Sequence, residues 1–388
     1  MDIRAESLAL HKRLKGKLEV VSRCPIRSHD DLSLAYTPGV AAPCLEIQQD
    51  PNLSFAYTRR QNLVAVITDG SAVLGLGNIG PLAGMPVMEG KCVLFKEFAG
   101  IDAVPICVDT QDVDEMVRTI AHISKSFGGI NLEDISAPRC FEVERRLKEL
   151  CDIPVFHDDQ HGTAVVITAA LTNALKAVGK KKEDVTVVIN GIGAAGGAAA
   201  RLLSAWGVGD LILCDRDGIL CAGDPKLAPH HAELAALTNK GRRTGLLADA
   251  LAGADVFIGV SRPGLVTGAM VESMAGDPIL LAMANPVPEI MPDEARAHGA
   301  AVVGTGRSDF PNQINNVLVF PGLFKGALSC GAVQITQEMK FAAARALADM
   351  ISEPSPDCIL PDPLDRSAAQ AVADAVAEEA RRSGIARF

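Results

Sequence analysis

Short apolar runs alternate, over most of the chain, with stretches in which apolar residues recur every three or four positions. The runs Leu63–Ile67, Ala103–Val108, Ile153–Phe156, Val185–Ile189, Leu211–Cys214, Val256–Val260, Ile279–Met283 and Val302–Val303 read as strands. They carry little polar alternation, as expected of strands covered on both faces. Between them, Val113–Ser126, Phe141–Leu150 and Thr163–Val178 have the helical period, and an Ala-rich helix is predicted over Ser367–Arg382 behind a Pro-rich stretch. This alternation predicts an α/β protein built on mainly parallel sheets. At 388 residues two domains are expected. The boundary falls inside a helix beginning near Gly162, ahead of Lys180-Lys181-Lys182, giving domains of residues 1–160 and 161–388.

Polar residues are not scattered evenly over this pattern. Asp69, Glu133, Asp134, Asp158, Asp159, Gly191, Asp215 and Asn285 each follow an apolar run. In open parallel sheets, ligands gather at the carboxyl ends of strands. The net charge of −10 argues against nucleic acid as a partner. Ten cysteines without a CxxC pair imply a reducing compartment. No apolar segment is long enough to span a membrane, and the charged start shows no signal peptide. Together these features predict a cytoplasmic enzyme.

The stretch VVINGIGAAGGAAARLL joins a predicted strand to a helix through Gly191, Gly193 and Gly196, with Ala194 and Ala195 opening the helix. Such a turn lets backbone approach a pyrophosphate, and the helix start offers free N–H groups and a positive dipole end. Asp215 closes the next strand, where an acid binds ribose hydroxyls. This favours NAD, although the adjacent Arg216 suits the 2′-phosphate of NADP.

Glu133-Asp134 and Asp158-Asp159 lie 25 residues apart. Acidic pairs are commonly solvated turns, and Asp158 or Asp159 could cap the helix near Gly162. Two pairs at strand ends could instead supply three or four oxygens to Mg2+ or Mn2+. Lys91, in glycine-flanked and mostly apolar surroundings, is a surface lysine or a base with a depressed pKa. Tyr36 is a buried, hydrogen-bonded tyrosine or a proton donor. Asn285, Asn315 and Asn316 can hold substrate oxygens or fix loops.

The ordered blocks AYTPGVAAPCLEI, VITDGSAVLGLGNIGPLAGMPVMEGK, NLEDISAPRCFEVE, VFHDDQHGTA, NGIGAAG, MANPVPEI and GRSDFPNQINNVLVFPG resemble malic enzymes of the shorter bacterial type. The resemblance implies a malic-type α/β domain followed by a Rossmann-like NAD(P) domain. It also implies oxidative decarboxylation of L-malate to pyruvate in a homodimer or larger homo-oligomer. It assigns Tyr36 as acid and Lys91 as base, with Asp158 tuning the lysine. Glu133, Asp134 and Asp159 become metal ligands, and Asn285 and Asn316 substrate contacts, with Asn315 adjacent. Larger members carry an arginine after TDG that holds a malate carboxylate, whereas this loop reads Ser71-Ala72-Val73. No appended acyltransferase domain is expected after Phe388. Two rival readings are a malolactic-type decarboxylase retaining NAD and a catalytically silent NAD-binding regulator.

Overall fold

The computed structural model describes residues 2–73 and 75–388. The first half is built on a parallel sheet of β1 (Leu63–Thr68), β2 (Asp102–Cys107), β3 (Gly129–Leu132) and β4 (Val155–His157), in the order β2-β1-β3-β4. The second is built on β5 (Thr186–Asn190), β6 (Asp210–Asp215), β7 (Gly218–Ile219), β8 (Val256–Gly259), β9 (Ile279–Ala282) and β10 (Val302–Thr305). Its order is β10-β9-β8-β5-β6-β7, parallel except for the antiparallel edge strand β7. The strand order reverses between β5 and β8, which opens a crevice beside the end of β5.

The helix Asp158–Ala177 links the halves and is buried along most of its length. It begins at Asp158 rather than near Gly162. Both acids sit in its first turn, where free N–H groups and the helix dipole favour carboxylates. Neither caps it; His157 holds that position without a side-chain bond. The core is continuous across the halves, running from Val64 and Phe95 through Ile167 to Val187 and Ile258. Phe95 meets Phe320 and Phe324 edge-on, with centroids 4.9 and 5.3 Å apart. Helix Phe320–Ser329, from beyond the second sheet, therefore closes over the first half.

Three features depart from the sequence pattern. Strand β3 lies in Gly-Ile-Asn-Leu, where Gly129 and Asn131 interrupt the apolar run, yet all four residues are buried. Pro81–Ala99 is one continuous helix despite Gly84, Pro86 and Gly90, because Met88, Cys92, Phe95 and Ala99 form one buried stripe. Tertiary packing overrides the weak local propensity there. Helices Ile3–Leu14, His29–Ala35 and Ala41–Gln49 contain no buried residue and expose Leu8, Leu34 and Leu45. Among the described residues, no helix is long and apolar enough to cross a membrane.

Candidate active site

Lys91 projects from helix Pro81–Ala99 onto the carboxyl edge of the first sheet and is 8% exposed. Its Nζ donates to Asp158 Oδ2 at 2.5 Å and lies 2.9 Å from Glu133 Oε1. The ring of Phe320 lies 4.0 Å from the ammonium, which adds a cation–π contact. Burial would lower the lysine's pKa, but the charges and hydrogen bonds of Asp158 and Glu133 outweigh it and hold Lys91 above its ordinary value. The expected depressed lysine is therefore corrected. Desolvation acts here on an ion pair rather than on a lone amine.

Each acid is aimed by its own scaffold. Asn131, pointing from β3, donates to Glu133 Oε2 at 2.8 Å. Asp134 sits in the left-handed region at φ 54°, uncommon for a non-glycine residue, and its N–H donates to Asp159 Oδ2 at 2.8 Å. Asn316 donates to Asp158 Oδ2 at 2.6 Å. A β-carbon at Gly162 would lie 1.8 Å from Asp158 Oδ1, so only glycine leaves room for that carboxylate. Burial, reinforced by Asp159 and Glu133, pushes the Asp134 carboxyl up to about 8. Burial also raises Asp158 to about 8, against the pull of Lys91.

Four carboxylates thus face one ammonium. Asp134 Oδ2 and Asp158 Oδ1 are buried without a hydrogen-bond partner. An all-oxygen set with surplus negative charge fits a hard divalent cation. The carboxylates are not yet convergent: among the described residues, no group of three or more His, Cys, Asp or Glu stands ready to hold a metal ion. Asp159 is turned onto a backbone N–H and Glu133 onto Lys91 and Asn131.

The dinucleotide motif lies at the strand-order reversal. Gly191 follows β5 with φ 99°, and helix Ala194–Trp206 starts behind Gly193. A β-carbon on Gly196 would lie 1.9 Å from the Gly191 carbonyl oxygen, whereas nothing approaches that position of Gly193 within 4 Å. One glycine permits close helix packing and the other leaves backbone open to a ligand. Gly191, Asp215 and Arg216 line a cleft of about 680 Å3 with Asn190, Ser261 and Arg262. Asp215 Oδ1 accepts from the Arg216 N–H, while the Arg216 side chain turns to Asp217. Ala194 and Ala195 occupy the first helical turn, and Ala194 packs on the first half's core.

The remaining sequence candidates divide. Asn316 joins the lysine cluster, whereas Asn315 accepts from the Val317 N–H and fixes the local turn. Asn285 is exposed, with its main-chain oxygen facing Gly75 of the loop after β1. Tyr36 ends helix His29–Ala35 and is 67% exposed, so the expected buried tyrosine is absent at this position. Sequence reading passed over Asn131 and also Glu289, which accepts from the N–H groups of Ser261 and Ala284 beside the cleft. Both are polar residues in or beside apolar runs, and that was the available signal.

A Rossmann-like crevice joined to a buried lysine–carboxylate cluster defines a two-domain dinucleotide-dependent oxidoreductase. The N-terminal domain of malic enzymes matches residues 15–148, and the malic enzyme NAD binding domain matches residues 160–381. The chain belongs to the malic enzyme family. It is 56% identical to the bifunctional malic/malolactic enzyme of Bacillus subtilis, over 100% of this chain and 95% of that one. It is 55% identical to the NAD-dependent malic enzyme of Geobacillus stearothermophilus, covering 96% and 78%. The malic enzyme structure from Pyrococcus horikoshii superposes with a TM-score of 0.96 at 48% identity, covering 100% and 92%.

Proposed function

We propose that this chain oxidises L-malate and decarboxylates it to pyruvate and CO2, reducing NAD+ in preference to NADP+. The observation that carries the reading is Lys91, buried between Asp158 and Glu133 at the mouth of the first sheet. When bound, Mg2+ or Mn2+ would supply Lewis-acid polarisation and NAD(P)+ the hydride acceptor. Glu133, Asp134 and Asp159 would hold the metal, while Gly191, Gly193, Gly196 and Asp215 would hold the dinucleotide. To act as base Lys91 must first give its ammonium proton to Asp158, whose carboxyl is pushed up to about 8 and is therefore a better proton acceptor than an ordinary aspartate. The freed amine then accepts the malate hydroxyl proton. Asn285 and Asn316 orient the substrate oxygens, and Tyr36 protonates the enol carbon once CO2 has left.

Exposed Tyr36 and the unburied N-terminal helices support a homodimer in which one subunit's N-terminal arm reaches the other's site. Co-expression of Tyr36→Phe with Lys91→Ala chains should then restore turnover absent from either variant alone. Mixed dimers no faster than their parents would sink the shared site. A division near residue 160 separates the metal-binding and dinucleotide-binding halves. Ten free cysteines support a cytoplasmic location.

The defining assay follows absorbance at the NAD(P)H band with malate and Mn2+, for each cofactor, with and without a chelator. Reduced cofactor should accumulate and chelation should abolish it; chelator-resistant turnover would remove the metal from the mechanism. Asp215→Ala should shift the NAD-to-NADP ratio of kcat/KM by about 10- to 100-fold, the loss of a charge-assisted hydrogen bond to the ribose. An unmoved ratio would refute that role. The name of the Bacillus subtilis relative favours one further reading, decarboxylation to lactate. Lactate without net NADH would establish it.

A further inference from the structure

A cavity of about 720 Å3, which Lys91 does not line, lies against the linking helix at Gln160, His161 and Ala164. Helix Arg139–Leu150 of the first half forms one wall, and helices Ala194–Trp206 and Gln337–Asp349 form others. Phe141, Ile192 and Leu202 give the cavity apolar lining, and Lys148, His161 and Lys340 line it as well.

Around Glu144 the cations do not each have a carboxylate of their own. Glu144, 5% exposed, accepts from Lys148 at 2.7 Å and from His161 Nε2 at 2.9 Å. Lys340 Nζ donates to the other ring nitrogen, His161 Nδ1, at 2.9 Å, and among the described residues that is its one partner. One carboxylate therefore serves two ammonium groups. The neighbouring Arg201 pairs with Glu233 and Arg145 with both Glu142 and Glu149, but these acids are solvent-exposed and bonded to the arginines, so none of them serves Lys340. Burial, then repulsion from Lys148, lowers Lys340 to about 8, as expected for a cation lacking its counter-charge.

We propose that this cavity binds a small organic oxyanion, its charged head between Lys340 and Lys148 and its apolar body against Phe141, Ile192 and Leu202. The site is distinct from the dinucleotide cleft, which Asp215 and Ser261 line. An oxyanion supplies the missing charge and the acceptors for the free Lys340 hydrogens.

The test is calorimetric titration of the full chain, saturated with NAD+, with benzoate and with phenyl phosphate, two probes sharing a body and differing in head group. At least one should bind saturably, and the tighter identifies the preferred head. Lys340→Gln and Lys148→Gln should each weaken it by about 10-fold or more, the loss of one charge-assisted hydrogen bond, while Lys340→Arg should retain it. Thermal melting checks that each variant is folded, and Lys148, on the more exposed rim, provides the second test should Lys340→Gln fail to fold. Absence of saturable binding for both probes in the millimolar range would overturn the site. So would affinities unchanged in folded Lys340→Gln or Lys148→Gln.

Discussion

Lys91→Ala is expected to lower malate oxidation by about 10²- to 10⁴-fold, the usual contribution of a positioned acid–base group. NAD+ affinity should remain at its wild-type value, because Lys91 does not line the dinucleotide cleft. The substitution leaves Asp158 and Glu133 buried without their cation. Such carboxylates protonate rather than stay charged, so the chain should fold with reduced stability. Lys91→Arg separates two roles of the lysine. It preserves a positive charge against the acids, but a guanidinium does not give up its proton at working pH. If proton transfer is the role, both variants are slow. Wild-type turnover in either would defeat the base assignment. Kinetics with malate, beside fluorescence titration of NAD+, distinguish these outcomes.

Glu133→Gln should weaken Mn2+ binding by more than the roughly 10- to 100-fold that follows loss of an outer-shell partner. Glu133 receives hydrogen bonds on both oxygens, from Lys91 and Asn131. A glutamine must turn its amide nitrogen towards one of these donors, so it loses geometry as well as charge. The same change removes one of the charges that push Asp134 up, and the Asp134 pKa should fall. Calorimetry with Mn2+ reads the first effect, and carboxyl titration by NMR reads the second. An unchanged Mn2+ affinity would take Glu133 off the list of ligands.

Much of this molecule can be read from short stretches. The runs around Leu63, Val185, Val256 and Ile279 became strands because an uninterrupted apolar segment must be covered on both faces. The glycine turn after β5 was equally legible, since strand, turn and helix start are local chemistry. Strand β3 and the helix bearing Lys91 were harder. Asn131, Gly84 and Pro86 are poor local signals, and they are tolerated because long-range burial dominates their energetics.

The four acids show the division most clearly. Their positions after apolar runs placed them at one sheet edge and suggested a cation site, since strand ends in a parallel sheet share a direction. Sequence could not determine the charge state of Lys91, because burial and paired carboxylates oppose each other and their distances decide the balance. Only the tertiary structure sets Asp158 at 2.5 Å and Glu133 at 2.9 Å, where attraction prevails over desolvation. Only the structure, too, leaves Tyr36 in solvent, because no spacing along one chain reveals which surfaces it leaves uncovered. Local pattern determines which chemistry is available, and packing determines which groups meet and in which protonation state.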